Sequence, residues 1–219
     1  MELPALVRLL RLASPALPVG AYGYSQGLET VIESGLAATP AAVEAWIGDH
    51  LRCCLARGDA AYFWRIWRSI LAGDHDEALR WDEEYLASRG SAELRAESLQ
   101  MGASLARLLE SIEGEGMGIG APSWLAAFAW AAARWRIPPR EALAAWLFSW
   151  LEAQILAWLK TGSAGQMAGQ AALARLSGEV ASIVDASERL RDDEIHTFAP
   201  GLALASFHHE DQDGRLFRS

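Results

Sequence analysis

Apolar side chains recur along much of this chain with the spacing of one face of an α-helix. Residues three and four positions apart share a helical face, whereas a half-buried strand alternates apolar and polar side chains. The helical spacing dominates, and 41 alanines and 30 leucines stand against 20 valines, isoleucines and threonines combined. We therefore predict an all-α protein. Its clearest stripes are Trp64, Trp67, Ile70 and Leu71, and Met101, Leu105, Leu108, Leu109 and Ile112.

Three residue pairs mark the predicted ends of helices. Thr39-Pro40 combines an N-cap residue with proline at the first helical position, Gly73-Asp74 separates two helices, and Pro138-Pro139 opens another. No linker, low-complexity tract or repeat divides the chain. At about 11–12 residues per helix, we expect a single-domain bundle of roughly nine or ten helices over residues 1–219.

Two neighbouring segments are apolar nearly all the way round and are predicted to be buried central helices. They are "PSWLAAFAWAAARW" and "EALAAWLFSWLEAQILAWLK", the second running from Glu141 to Lys160. The second segment resembles a membrane span, but Glu152 and Gln154 lie in its middle, and a charge at the bilayer centre costs about 3 kcal/mol. We expect no membrane association.

Charge and cysteine usage exclude several classes of function. A net charge of −9 argues against nucleic-acid binding, which needs a basic surface. The N-terminal stretch lacks the basic, apolar and small-residue zones of a signal peptide, so we expect a cytoplasmic protein. The adjacent Cys53 and Cys54 form no disulfide framework, and Cys54 falls on an apolar helical stripe that predicts burial.

The stretch Gly23-Tyr24-Ser25-Gln26-Gly27 fits the G-x-S-x-G pattern of serine hydrolases. That pattern works at a sharp turn from a strand into a helix, which raises the serine above a parallel sheet. Here "SPALPVGAY" precedes it, and its two prolines disfavour a strand. A structured loop that feeds a helix, with Ser25 near the helix start, is the favoured interpretation.

Motifs at both ends of the chain resemble those of the urease accessory protein F (UreF) family. Near the N-terminus, "LPVGAYGYSQGLE" is similar to the family's L-P-V-G, aromatic residue and S-Q-G-L-E. At the other end, "APGLALASFHHEDQDGRLFRS" is similar to its small-residue segment, H-E-x-Q and terminal R-L-F-R-S. Between them, "AELRAESLQMGASLARLL" resembles an E-L-R helix, and "WLKTGSAGQMAGQ" resembles a segment with two Gly-Gln steps.

Three departures from the family pattern affect expected contacts. Gly90-Ser91-Ala92 stands where E-T-R is common, Ser163 where proline is common, and Asp213-Gly214 where Tyr-Ser is usual. Partner contacts at these positions could therefore differ from those elsewhere in the family.

The resemblance implies an all-α, non-enzymatic scaffold for urease maturation. Such proteins form dimers, bind UreD (also called UreH) and recruit the GTPase UreG, so that nickel reaches the urease apoprotein. No G-x-x-x-x-G-K-[ST] phosphate loop occurs here, and "GEGMGIG" from Gly114 to Gly120 is interpreted as a mobile interhelical loop. We therefore expect no cofactor on this chain, with GTP bound by UreG and nickel handled by the complex.

The same resemblance implies a partner-binding tail over residues 207–219. Its last five residues mix apolar and arginine side chains suited to an interface, and they are expected to add little to a core built from the tryptophan-rich helices. His208, His209 and Glu210 are weighed as a nickel contact, but a polar segment that meets a partner is favoured, so no metal site is assigned. The expected partner-binding residues are Tyr24, Gln26, Lys160, Gln166, Gln170, His209, Glu210, Arg215, Leu216, Phe217 and Arg218.

Two alternatives remain open at this point. One is a serine hydrolase that uses Ser25, for which no histidine or carboxylate partner is evident from sequence. The other is a helical interaction protein with an unknown partner. For Lys160, the simple interpretation is a solvated cation that offsets the dipole at a helix C-terminus, and the functional one is contact with the GTPase.

Overall fold

The computed structural model describes residues 1–114, 116–117, 120–210, 212 and 214–219. Within them every regular element is helical, which confirms the all-α class. Eleven α-helices are present in this part of the chain, and nine of them have ten residues or more. They are α1 (Leu3–Leu12), α2 (Leu28–Glu33), α3 (Pro40–His50), α4 (Ala60–Ala72), α5 (His75–Ala87), α6 (Ala92–Glu113), α7 (Trp124–Arg134), α8 (Pro139–Lys160), α9 (Gln166–Ser177), α10 (Val180–Ser187) and α11 (Pro200–Glu210).

The predicted helix boundaries are found where local chemistry placed them. The Thr39 side chain accepts a hydrogen bond from the backbone N–H of Ala42 and caps α3. Gly73 ends α4 in the left-handed conformation, and Asp74 then caps α5. Pro139 is the first residue of α8. Parts of the predicted Gly114–Gly120 loop, and Asp213, lie outside the described residues.

Helices α7 and α8 supply the centre of the core. Five buried alanines of α7 let its neighbours approach closely, and α8 contacts α7, α9 and α10. In the described part of the chain, α8 is the one helix long and apolar enough to cross a membrane, and half of its most apolar stretch is buried against neighbours. Leu143, Leu147 and Leu151 are fully buried there, which confirms the predicted central helix.

One close approach explains a glycine on α6. A Cβ atom at Gly102 would lie 2.1 Å from the backbone oxygen of Pro122, just before α7. Nothing larger than glycine fits this contact, because real Cβ atoms do not approach backbone so closely. Gly102 therefore fixes how tightly α6 packs on the start of α7.

A π-helical segment, Leu51–Asp59, joins α3 to α4 without a break. It buries Cys54, as the apolar stripe predicts, and burial raises the pKa of that thiol to about 12. The segment ends at Asp59, which forms a buried two-pronged ion pair with Arg89 at 2.5 and 3.2 Å. Neither the π-helical winding nor this ion pair is evident from the sequence pattern.

The C-terminal segment, residues 214–219, lies against the bundle. Phe217 and Ser219 are buried, and the backbone N–H of Arg218 donates to the oxygen of Gly23 at 2.7 Å. The expectation that the last five residues add little to the folded bundle is therefore wrong. Apolar burial and hydrogen bonds to the N-terminal signature tie these residues to their own chain.

Candidate partner-binding site around the C-terminal segment

The N-terminal signature forms a tight turn that receives the end of the chain. Gln26 and Gly27 both adopt positive φ, at 53° and 78°. This turn directs the backbone N–H groups of Ser25 and Gln26 to the backbone oxygen of Ser219, at 2.7 and 3.0 Å. The Ser25 hydroxyl donates to the same oxygen at 2.6 Å. Three donors thus converge on one oxygen, so this part of the signature holds Ser219.

Gly27 also lets α11 approach the turn. A Cβ atom there would lie 3.0 Å from the Cβ of Ala205, in a backbone conformation that side chains rarely adopt. Helix α11 consequently packs directly against α2, and this contact brings His209 toward the carboxylate of Glu29.

Glu29, the glutamate of S-Q-G-L-E, is the central acceptor of the site. It is fully buried, and its two oxygens accept the backbone N–H groups of Leu216 and Phe217 at 2.7 and 3.2 Å. The Nε2 atom of His209 lies 3.2 Å from the second oxygen. A buried carboxylate is costly without such partners. Glu29, which lies on α2, therefore connects that helix to the C-terminal segment and to α11.

His209 bridges this carboxylate to a second one. Its Nδ1 atom lies 2.8 Å from Glu93, which also accepts from Arg215 at 2.8 Å. His209 and Arg215 thus both contact Glu93 at the place where α11 meets α6.

Glu97 closes the other side of the site, one helical turn beyond Glu93. It accepts from the Gln26 side chain at 2.7 Å and from the Ser219 hydroxyl at 2.8 Å. Burial raises the pKa of Glu97 to about 7. The Gln26 oxygen in turn accepts from the Trp150 indole at 2.8 Å, and the Tyr24 hydroxyl donates to Gln100 at 2.7 Å. Burial also raises the pKa of Tyr24.

Lys160 links the tail to the end of α8. Its ammonium group donates to the backbone oxygen of Leu216 at 3.2 Å and lies 4.2 Å from the centre of the Phe217 ring. The second contact is a cation–π interaction, worth about 0.5–1 kcal/mol at an exposed site. Lys160 is therefore more than a solvated helix-end charge, because it bonds to the tail.

The predicted site residues fall into two groups. Tyr24, His209 and Phe217 are buried and Gln26 is half-buried, so in this arrangement they hold the surface in place rather than offering a face to a partner. Partner binding itself stays a prediction for all of them. The remaining residues are exposed, namely Lys160, Gln166, Gln170, Glu210, Arg215, Leu216 and Arg218.

The structure does not bring together the residues considered above as a nickel contact, His208, His209 and Glu210. His208 is exposed, whereas His209 contacts two carboxylates inside the protein. Among the residues that the structure describes, no group of three or more histidine, cysteine, aspartate or glutamate side chains is arranged to hold a metal ion.

Sequence reasoning did not assign roles to Glu29, Glu93, Glu97 or Ser219. Glu29 stands inside the quoted signature, and Glu93 and Glu97 are four residues apart, so they share a face of α6. Two glutamates with that spacing on a partly apolar helix are a sequence signal from which a shared role could have been predicted. The partners of these carboxylates are distant in sequence, and no local pattern identifies them.

Two of the three departures from the family pattern contact α11 or the turn after α8. Gly90 approaches Ala203 of α11, and Ser91 caps α6 while its hydroxyl lies 2.6 Å from that of Ser206. Ser163 contacts Thr161 in the turn after α8. These substitutions keep contacts within the chain, so they are compatible with the observed packing.

Ser25 does not have the setting of a hydrolytic nucleophile. It is fully buried, and its hydroxyl donates to the Ser219 backbone rather than to an imidazole. The described residues contain no strand from which a nucleophile elbow could arise. The role of Ser25 in this structure is its hydrogen bond to Ser219 of the C-terminal segment.

Comparison with known proteins places these features in a family. The UreF family model matches residues 37–177. The urease accessory protein UreF of Azoarcus sp. (strain BH72) is 49% identical, with 98% of this chain and 95% of that protein covered. The corresponding protein of Janthinobacterium sp. (strain Marseille) is 38% identical over the full length of both. The bifunctional urease accessory protein UreEF of Bordetella bronchiseptica is 43% identical over 98% of this chain, which spans 52% of that protein. A full-length match at this identity, together with the S-Q-G-L-E turn and the tail that it holds, shows that the chain belongs to the UreF family.

Proposed function

We propose that this chain is a non-enzymatic scaffold for urease maturation. In this proposal it binds UreD (UreH), recruits the GTPase UreG and acts as a homodimer in the cytoplasm. Nickel is then cargo of the complex on its way to the urease apoprotein, and GTP is bound by UreG. Membership of a family named for urease accessory proteins supports the role in maturation, and the fused UreEF relative supports contact with further accessory proteins.

One observation carries the assignment of the binding surface. Lys160 contacts the tail through both Leu216 and Phe217, so the end of α8 and the C-terminal segment form one joined surface. A partner that binds the tail would change the surroundings of Lys160. In the same way, binding of a partner at Lys160 would depend on the position of the tail. This linkage suits a scaffold that binds two proteins.

Replacement of Lys160 tests the proposal. We expect Lys160→Ala to keep the fold and the UreD complex while UreG recruitment falls. Within the described part of the chain the variant loses only two exposed contacts, the hydrogen bond to Leu216 and the cation–π contact with Phe217, the second worth about 0.5–1 kcal/mol. Co-purification with UreD and UreG from the same source measures both steps. Arg57→Ala is the matched control, since Arg57 is exposed and its side chain lies outside this site. UreG recruitment equal to wild type would contradict the role of Lys160.

A second measurement is possible on the wild-type protein, without any substitution. Lys160 is the only lysine in the chain. An amine-reactive reagent therefore reports on this position, with the amino terminus as an internal reference. We expect UreD and UreG together to slow modification of Lys160 at least several-fold relative to the amino terminus. An unchanged ratio in a complex shown to be intact would place the GTPase elsewhere.

A further inference from the structure

A cavity lies between α6, α8 and the loop that joins α1 to α2, next to the C-terminal site. Its volume is about 80 Å³. Since one water molecule needs about 10–15 Å³ of such space, the cavity holds the equivalent of roughly six of them, which is enough for a compact organic molecule. Its wall is mainly apolar, and Gln26 and Glu97 of the C-terminal site form part of it. We name it the aromatic cavity, after the lining residues Tyr22, Tyr24, Tyr85, Trp124, Trp146 and Trp150.

Two buried N–H donors of the cavity wall have no acceptor on the protein. Trp146 and Arg89 both line the aromatic cavity. Within the described part of the chain, neither the indole Nε1 of Trp146 nor the Nε of Arg89 has a hydrogen-bond partner, although both atoms are buried. Trp146 as a whole is 3% exposed. Because a buried donor without an acceptor is unfavourable, this wall favours a molecule that brings an acceptor oxygen.

The charged side chains of the cavity disfavour an ionic ligand. Asp59 already bonds to Arg89 through both of its oxygens, so this pair is neutral as a unit. Glu97 already accepts two hydrogen bonds, and Glu152 is a third carboxylate in the wall. Three carboxylates against one arginine repel an anion. A cation would bring only further donors, and it would leave the two N–H groups without an acceptor.

We propose that the aromatic cavity binds a compact, uncharged molecule that carries an acceptor oxygen on a planar apolar body. The aromatic wall packs against the planar body, and the oxygen supplies the acceptor that Trp146 and Arg89 lack. Tyr22, which is 51% exposed, lines the cavity together with the half-buried Glu152, so the molecule enters on their side. Such a ligand has no part in the scaffold role, and the inference goes beyond the proposed function.

Three probes of nearly the same shape test the inference on the full chain. Benzamide is uncharged and carries a carbonyl oxygen, benzoate is an anion, and benzamidinium is a cation without an acceptor. The tryptophan indole signals in a ¹H–¹⁵N NMR titration measure their binding. We expect benzamide to shift these signals saturably, and each ion to bind at least about tenfold more weakly. Toluene, which lacks the oxygen, should also bind less tightly than benzamide.

Two results of these titrations would overturn the proposal. One is binding of either ion as tightly as benzamide, since the cavity would then select for charge. The other is the absence of saturable binding by benzamide, since water alone would then fill the cavity.

A pair of tryptophan variants locates the bound probe. Trp146→Phe keeps an aromatic ring and removes the N–H group, and it should weaken benzamide binding at least about fivefold. Trp158→Phe is the matched control. Trp158 lies on the same helix, is 1% exposed and also has an unpartnered Nε1, but it lies outside the cavity wall. Equal losses of affinity in the two variants would contradict the site.

A variant that fills the cavity gives a test that removes no core packing. The half-buried Ala153 of α8 lines the aromatic cavity, so Ala153→Leu should occupy part of the space and abolish the benzamide titration. Ala145→Leu adds the same volume at a half-buried alanine of α8 outside the wall and should preserve it. Benzamide binding that survives Ala153→Leu would overturn the proposal. None of these readouts requires UreD or UreG, so the scaffold role and this site can fail separately.

Discussion

The α7–α8 core and the C-terminal site are held together by different physics. The core buries alanine, leucine and tryptophan side chains, and its stability comes from non-directional apolar burial. The C-terminal site buries Glu29 and Glu97, which are stabilised by hydrogen bonds of defined length and direction. Removal of side-chain volume should therefore destabilise the core most. Removal of single polar atoms, or a change of pH, should instead destabilise the C-terminal site.

The largest effect is expected from a cavity in the core. Leu147→Ala removes a fully buried side chain from α8, and we expect the free energy of unfolding to fall by about 2–5 kcal/mol. Urea unfolding measures the loss, and the exposed Leu71→Ala serves as the control. The loss should be the same at pH 6 and pH 8, because no titratable group changes. A strongly pH-dependent loss would contradict the comparison.

The next effect is a pH dependence that belongs to the C-terminal site. The folded-state pKa of Glu97 is raised to about 7, above its ordinary value of 4.5, so the folded protein holds a proton that the unfolded chain has released. Stability should therefore fall as the pH rises from about 4.5 to 7 and level off above that. Since one pKa unit corresponds to about 1.4 kcal/mol, the full change is up to ~3 kcal/mol.

Glu97→Gln sharpens this prediction. Glutamine keeps an acceptor for Gln26 and cannot ionise, so the variant should lose the slope and be more stable than wild type at pH 8. Urea unfolding of both proteins between pH 5 and pH 8 measures the difference. A slope that survives in the variant would assign the pH dependence to another group.

Removal of Arg215–Ser219 should have an intermediate effect on stability. Exposure of the Phe217 pocket alone costs about 2 kcal/mol, equivalent to a melting temperature lower by roughly 4–8 °C in a chain of this size. Affinity for UreD should also fall by at least ~30-fold. Thermal melts and calorimetry with UreD measure the two losses. An unchanged melting temperature would show that the tail is not part of the folded structure in solution.

The smallest effect is expected from Ser25→Ala. The variant loses one of three hydrogen bonds to the Ser219 oxygen, while both backbone donors remain, so stability should fall by only about 1 kcal/mol. Urease maturation should continue. A fluorophosphonate probe should leave wild-type Ser25 unlabelled, and covalent labelling in the folded protein would instead support the hydrolase alternative.

The structure changes the interpretation of the tail. From its composition, Phe217 is a suitable anchor for a partner, but here the phenylalanine packs on its own chain against Lys160. A tail of this composition can dock in either place, because exposure of an aromatic ring in water is unfavourable in both cases. The choice depends on which groove is present, and residues around 24–29, 93–97 and 160 build that groove together.

The sequence by itself determined the helical class, the capped boundaries at Thr39, Gly73 and Pro138, the buried helix α8 and the burial of Cys54. Each of these follows from contacts within about one helical turn, where spacing and side-chain chemistry suffice. The resemblance to the UreF family was likewise carried by short motifs. Only the tertiary structure decided that Glu29 and Glu97 meet the C-terminal segment and that His209 meets Glu29, since those contacts join residues more than 100 positions apart. Such pairs depend on how the helices pack, and no local periodicity encodes them.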